Sequence, residues 1–223
     1  SKVMVKMSLV FLSVMVPLQI VAGDLHGVNT LHHQPAKLAA MEGLWETRTH
    51  VPLSLFAIPD PQNETNRYEI AMPAIGSLYL THSFDVQVQG LKAFPREDRP
   101  PVAIVYFAFR IMVGIGLLML ALVITGWVQQ RRGRLYTSPG FLRMAHWCMP
   151  IGFIAVLAGW TVTEVGRQPW VVYGLMRTAD AVSPSLSADG GTVAFDASAA
   201  LDPADQNDRT DVYVLDRATS TIA

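Results

Sequence analysis

The 223-residue chain is 51% hydrophobic and only 16% charged, with a mean hydropathy of +0.29, where a soluble domain carries about 25% charged residues. Its net charge of −1 hides a split, because residues 184–223 hold seven Asp against two Arg and the first 183 residues are therefore positive. The single cysteine, Cys148, excludes an intrachain disulfide framework and a Cys-only metal site, and no C-x-x-C-H run offers covalent c-type haem attachment.

The first predicted element is a span over 3–22, VMVKMSLVFLSVMVPLQIVA, close to the ~20 apolar residues a bilayer helix needs. Pro17 predicts a kink in it. Lys2, Lys6, the apolar run and the small pair Ala22-Gly23 also fit a secretory signal peptide, so two readings stand open on these residues. A long loop, 23–101, follows. Pro35 opens a predicted amphipathic helix. On it Lys37 and Glu42 are five apart, about 140° around the axis, and need not pair with each other. GSLYLTH (76–82) reads as a short strand or an interfacial segment, and FPREDRPP (94–101) as a turn-rich entry to the next span. His26, His32, His33 and His82 show no zinc-ligand spacing and read as polar surface groups.

The second span, 102–128, is interrupted only by Arg110, about 21 residues or ~31 Å of helix from Arg131. Arg110 either snorkels to the interface or faces the bundle and neutralises an anion. Met112 follows two residues later. A thioether packs in most membrane helices and serves as an axial haem ligand in a few, and ten methionines make spacing uninformative here. QQRRGR (129–134) is a short basic loop, so the positive-inside rule makes it cytoplasmic. The loop 23–101 and everything after residue 164 then face outside. The third span, 141–163, ends in TEVGRQPW (163–170). Glu164 and Arg167 are i, i+3 and suit an ion pair on one helix face, with Gln168 beside them, while Trp160 lies one turn before Glu164. Ionisable groups at a membrane edge are costly, which marks this stretch as a structural pair or a functional site.

The tail differs in kind. GTVAFDAS and DVYVLDRA read as two short strands by their β-branched and aromatic content, and DPADQND as a solvated turn rather than a Ca²⁺ site. The expected fold is mainly α: a polytopic bundle fragment of three spanning helices, 1–183, with a short β-rich tail, 184–223.

Three blocks, GDLHGVNTLHHQPAKLAAMEGLWET, GLKAFPREDRPPVAIVYFAFRIMVG and GWTVTEVGRQPWVVYGLMRTADAVSP, resemble subunit I of cytochrome bd-type quinol oxidases over about residues 1–184. The nearest likeness is to the cyanide-insensitive branch with a short quinol loop. The resemblance implies that Met112 is the axial ligand of a low-spin haem b with Arg110 beside it. It implies that Glu164 ligates a high-spin haem b, with Trp160, Arg167 and Gln168 around it. The oxygen-reducing site would hold haem d or b. Lys37 and Glu42 match residues that bind and oxidise quinol on the outer face. Electrons would pass from quinol to oxygen, giving water and proton-motive force. Partners would be oxidase subunit II, quinol, oxygen and the lipid bilayer of a bacterial inner membrane, with no nucleic acid. The same likeness favours a true spanning helix over a signal peptide.

The chain departs from that pattern at His32, where such loops usually carry Glu. The likeness also covers only the C-terminal half of the subunit. The helices bearing the family's histidine ligands lie outside it, so the chain alone is expected to be inactive. Residues 184–223 resemble one blade of a TolB or WD40-like propeller, and a join near Pro184 is expected. A membrane-anchored propeller-type binding protein, or a non-functional fusion product, is the competing reading. The basic loop generates a test of topology. With Cys148 replaced by Ser, a cysteine introduced within 129–140 is expected to resist an impermeant thiol reagent in intact cells. Labelling there would reverse the orientation.

Overall fold

Helices dominate the first two-thirds of the chain. In chain order they and the strands are α1 (Lys2–His33), α2 (Pro35–Glu42), β1 (Leu53–Asp60), β2 (Thr65–Met72), α3 (Ile75–Thr81), α4 (Val102–Arg131), α5 (Pro139–Trp147) and α6 (Ile151–Gly166). Then come β3 (Trp170–Val172), β4 (Met176–Arg177), β5 (Ala181–Leu186), β6 (Thr192–Ala197), β7 (Asp211–Asp216) and β8 (Thr221–Ile222). The computed structural model describes residues 2–179, 181–187, 191–197, 211–216, 219 and 221–222. They fall into two units, Ser1–Gly166 and Arg167–Ala223.

Three stretches of the first unit are long and apolar enough to cross a membrane: α1, α4 with the turn before it, and α5 with α6. Helix α1 outruns its predicted span. It is continuous through Pro17 and ends only at His33, with Ala22-Gly23 inside it. The third span is not one helix, as the sequence reading had it. It breaks between Trp147 and Ile151, because Pro150 has no N–H to give the preceding turn and its ring clashes with the carbonyl four residues back. At one end of the bundle, Leu9 of α1 lies against Gly126 of α4, and Trp127 Nε1 donates to Ser13 Oγ at 2.6 Å. The Lys2 ammonium stands 5.8 Å from the Tyr136 ring, so the start of α1 meets the basic turn between α4 and α5.

At the other end the loop between α1 and α4 folds into a cap. Helix α2 was expected to be amphipathic. Instead every residue from Ala36 to Trp45 is buried, including Lys37 and Glu42. A buried helix needs no apolar stripe, which is why periodicity misread it. The segment 76–82, expected as strand or interfacial chain, is α3. Ser77 explains it: its Oγ accepts from Val51 N at 2.6 Å and its own N–H donates to Val51 O at 3.0 Å, pinning the helix start to the incoming backbone. Gly76 allows that approach, since a Cβ there would stand 2.6 Å from Pro52 O.

The β1–β2 hairpin had no counterpart in the sequence reading. Its strands pair antiparallel from Leu53↔Met72 to Asp60↔Thr65, with two register shifts. Asp60 closes the turn by accepting from Asn63 Nδ2 and the N–H groups of Gln62 and Asn63, and it also pairs with Arg67. Hydrogen bonds from Asn63, more than the charge of Arg67, hold the Asp60 carboxyl down to about 2. Glu64, held below its usual range chiefly by its bond from Arg99, ties the hairpin to Arg99 at 2.8 Å and Arg96 at 2.9 Å.

In the second unit β5–β6–β7–β8 form a four-stranded antiparallel sheet, and β3–β4 a separate hairpin. Both strands predicted for the tail are present, as β6 and β7. Met176, Phe195, Tyr213 and Leu215 make its core. Strand β5 runs across residues 183–184, where a join was expected. The stretch DPADQND lies outside the described residues.

The cap depends on one close crossing. Leu91 N and Lys92 N donate to Leu44 O and Trp45 O at 2.8 and 3.0 Å, and a Cβ on the preceding Gly90 would fall 2.4 Å from the Glu46 carbonyl carbon. Backbone cannot yield as a flexible side chain does. Gly90→Ala is therefore expected to destabilise the first unit by about 3 kcal/mol, the upper range for overpacking. Thermal unfolding in detergent checks it, and an unchanged midpoint would show the crossing is not constraining.

Candidate functional site

The candidate site forms where α2 meets α4 and α6. Pro35 sits at the first turn of α2, where a missing N–H costs nothing. Gly43 ends the helix in the left-handed region at φ 63°, its N–H closing onto Ala40 O. Between these stops lie the two charged residues, and they go to different helices, as their angular separation allows. The Lys37 stem lies along Gly166 at the end of α6, where a Cβ would stand 3.2 to 3.5 Å from three of its carbons. Glu42 turns to α4.

There Arg110 Nη2 donates to Glu42 Oε2 at 2.9 Å and Nη1 to Met41 O at 3.2 Å. The Glu42 side chain is 2% exposed and that of Arg110 16%. Rings of Tyr106 and Phe109 flank the guanidinium, with centroids 4.5 and 5.3 Å from Cζ, inside the range where ring quadrupoles attract a cation. Two polar atoms of the pair, Glu42 Oε1 and Arg110 Nε, are buried without a partner. Burial pushes the Glu42 carboxyl up and the Arg110 charge opposes it; we hold the net direction to be upward, because the exit of water is complete while the cation serves one oxygen only. Tyr79 of α3 is likewise raised, first by burial and then by the nearby Glu42 charge.

Arg110 thus neither snorkels to the surface nor stands alone. Its partner is 68 residues away in sequence, and spacing could not have named it. Tyr106, one helical turn before Arg110, is a residue the sequence reading missed although the i, i+4 relation was legible. Ser54 and Asn66, which brace the same corner from the hairpin, carry no sequence signal of that role. Met112 is half-buried and points elsewhere: its Sδ would lie 2.9 Å from a Cβ on Gly159 of α6. Glu164 is half-buried in the last turn of α6, five residues or about 7.5 Å of helix beyond Gly159. Trp160 is 64% exposed. In the second unit Arg167 and Gln168 are half-buried, and Gln168 Oε1 accepts from Thr178 Oγ1 at 2.8 Å. His26, His32 and His33, which fall within α1, and His82 are exposed, as expected of surface groups.

This donor set fits haem better than a bare metal. Among the described residues no three His, Cys, Asp or Glu side chains gather into a metal cage. Iron already held in a macrocycle would ask the protein for single donors rather than a cage, and the Met112 thioether and the Glu164 carboxylate are each one such donor. The unpartnered Arg110 Nε adds a donor suited to an anionic group. The pair itself can be tested by substitution. Arg110→Ala or Glu42→Ala strands a buried charge and is expected to cost about 3–5 kcal/mol, whereas Glu42→Gln keeps an acceptor for Nη2 and costs less. Melting of the three variants in nanodiscs gives the ranking, and equal midpoints would remove the pair as a structural link.

Comparison with known proteins gives these residues a setting. Residues 1–200 match the family described as cytochrome bd terminal oxidase subunit I. The chain is 37% identical over 177 residues to cytochrome bd ubiquinol oxidase subunit 1 of Bacillus subtilis, a match covering 75% of this chain and 38% of that one. It is 30% identical to cytochrome bd-II ubiquinol oxidase subunit 1 of Escherichia coli, across 72% of this chain and 44% of that one. The solved bd oxidase of Geobacillus thermodenitrificans superimposes with a TM-score of 0.64 at 32% identity, covering 74% of this chain and 38% of its counterpart. The chain thus spans well under half the length of these relatives. With that family model matching residues 1–200, the chain belongs to the cytochrome bd terminal oxidase subunit I family.

Proposed function

We propose that this chain is the part of a membrane quinol oxidase that receives quinol at the buried helix α2. The observation that carries the reading is the Glu42 carboxylate, one oxygen fixed by Arg110 and the other buried without a partner. A quinol hydroxyl supplies the missing hydrogen bond to Oε1 and then the proton. An upward-shifted carboxyl suits that task, since a base works best near the operating pH. Lys37 holds the other side of the quinol from the same helix. Two quinols yield four electrons and release four protons, and the four electrons with four protons taken up at the oxygen site reduce one oxygen to two waters.

Haem bound here supplies the one-electron chemistry and the reduction of oxygen. Met112 would hold a low-spin haem b, with Arg110 two residues before it on α4. Glu164 would hold a high-spin haem b, a role to which we also assign Trp160, Arg167 and Gln168, and haem d or b would complete the oxygen-reducing site. The names of the relatives support quinol as donor, one being a ubiquinol and another a putative menaquinol oxidase subunit of Bacillus subtilis. The likeness of the three sequence blocks supports the cyanide-insensitive-like branch. The setting we propose is a bacterial plasma membrane, with the cap and the residues after α6 on the outer side, and subunit II as partner. The contact of Lys37 with Gly166 supports a common side for the cap and the end of α6. Because the chain spans 38% of its Bacillus relative, turnover is assigned to the assembled oxidase and not to this chain alone.

One observation favours a second reading. Strands β5 to β8 form a four-stranded antiparallel meander, the form of a propeller blade, so residues 184–223 could belong to a binding module on a membrane anchor. Against it, the family match runs on to residue 200, and a single blade has no neighbour to close against. In the assembled oxidase, Lys37→Ala and Glu42→Gln are each expected to lower kcat/KM for a short-chain quinol by about tenfold or more, the size of one lost charge-assisted hydrogen bond. The reduced-minus-oxidised haem spectrum should persist. Loss of haem absorbance in either variant would assign that residue to folding instead.

A further inference from the structure

Behind the Glu42–Arg110 pair lies a second layer that the quinol reading leaves without a role. Tyr106 is fully buried, and its hydroxyl meets Ser54 Oγ of β1 at 2.7 Å, with Ser54 2% exposed. The ring of the same tyrosine faces the Arg110 guanidinium at 4.5 Å. Its edge fills the space that Gly43 leaves empty, since a Cβ on Gly43 would stand 3.1 and 3.2 Å from Cδ2 and Cε2. Tyr106 therefore touches both the cation that bonds Glu42 and the residue that follows Glu42 in the chain.

The guanidinium needs such a support. Only its two terminal nitrogens are bonded, to Glu42 and Met41 O, and Nε has no partner. Two bonds on one edge leave the plane free to tilt, and an aromatic ring 4.5 Å from Cζ restrains that tilt. From the second hairpin strand, Asn66 secures the other side of the corner. Its Nδ2 donates to Gly43 O at 2.9 Å while its Oδ1 accepts from Trp45 Nε1 at 2.8 Å.

We propose that Tyr106, clamped by Ser54, is a positioning residue for quinol oxidation, setting the Arg110 plane and through it the aim of the unpartnered Glu42 oxygen. The inference rests on the quinol site proposed above, and it gives the β1–β2 hairpin a role in the reaction although no hairpin residue meets quinol.

The test uses the assembled oxidase with a short-chain ubiquinol as substrate. Tyr106→Phe keeps the ring and removes the clamp; Ser54→Ala removes it from the other side and serves if the first variant fails to assemble. Each is expected to lower kcat/KM about three- to tenfold with haem content unchanged, the effect of one unmade buried hydrogen bond. The double variant should lose no more than either single one, because both break the same link. Combined with Glu42→Gln, Tyr106→Phe should add almost nothing, since the group it aims is already disabled. A full additional loss in that combination would overturn the proposal, as would wild-type kinetics in both single variants. Were Glu42→Gln itself without effect on quinol oxidation, the quinol site would fail first, and that outcome is distinct from a failure of Tyr106 alone.

Discussion

Burying a carboxylate and a guanidinium at the end of a membrane bundle costs several kcal/mol per ion, and this cost organises everything near α2. Arg110 sits on a helix whose other residues around it are apolar, so it cannot be solvated from its own element. Its compensation comes from another part of the chain: a carboxylate, a backbone carbonyl and two aromatic faces. Each of those partners has to be brought to within a few ångströms and kept there. Helix α2 must stop at Gly43 so that Met41 O is free to accept. The hairpin must close over the turn so that Trp45 and Gly43 stay in place.

The cap can do this because its backbone approaches itself unusually closely. Gly76 and Gly90 both lie where a side chain would strike neighbouring main chain. Crossings of that kind exchange conformational freedom for rigidity, which a site built from a loop otherwise lacks. The contrast with the spanning helices is physical. Helices α1, α4 and α6 leave broad apolar faces exposed, including Phe11, Ile111 and Phe153. Lipid or other helices satisfy such faces equally well, whereas the cap must satisfy its polar groups internally.

That contrast also decides what the sequence made legible. The spans could be read from hydropathy because a bilayer acts on each segment independently, so local composition carries the signal. Glu164 stood out by its cost at a membrane edge, whereas Lys37 and Glu42 were given a role only through resemblance, and the resemblance did not contain the Glu42–Arg110 pairing. The pair depends on two segments meeting across 68 positions, and no periodicity records that. The clue available was energetic: an arginine deep in an apolar run requires an anion, and the nearest loop offered a glutamate in an alanine-rich helix. The hairpin escaped notice because TNRYEIAM alternates weakly and its exposed face mixes Tyr68 and Ile70 with charge. Pro150 was a different case, a breaker in plain view inside a run read as continuous.

The position of Arg110 relative to Met112 carries the argument one step further. Two residues apart on a helix means about 200° of rotation and ~3 Å of rise, so their side chains leave α4 on nearly opposite faces. One face meets α2 through Glu42, and the other meets α6 at Gly159. If the proposed roles hold, the residue that fixes the quinol base and the residue that takes the haem iron share one rigid stretch of backbone. A shift of α4 cannot then move one without the other. Under those roles, one element would keep the separation between the carboxylate that meets quinol and the haem fixed. The short separation that makes the two residues diverge in direction is what couples them in position.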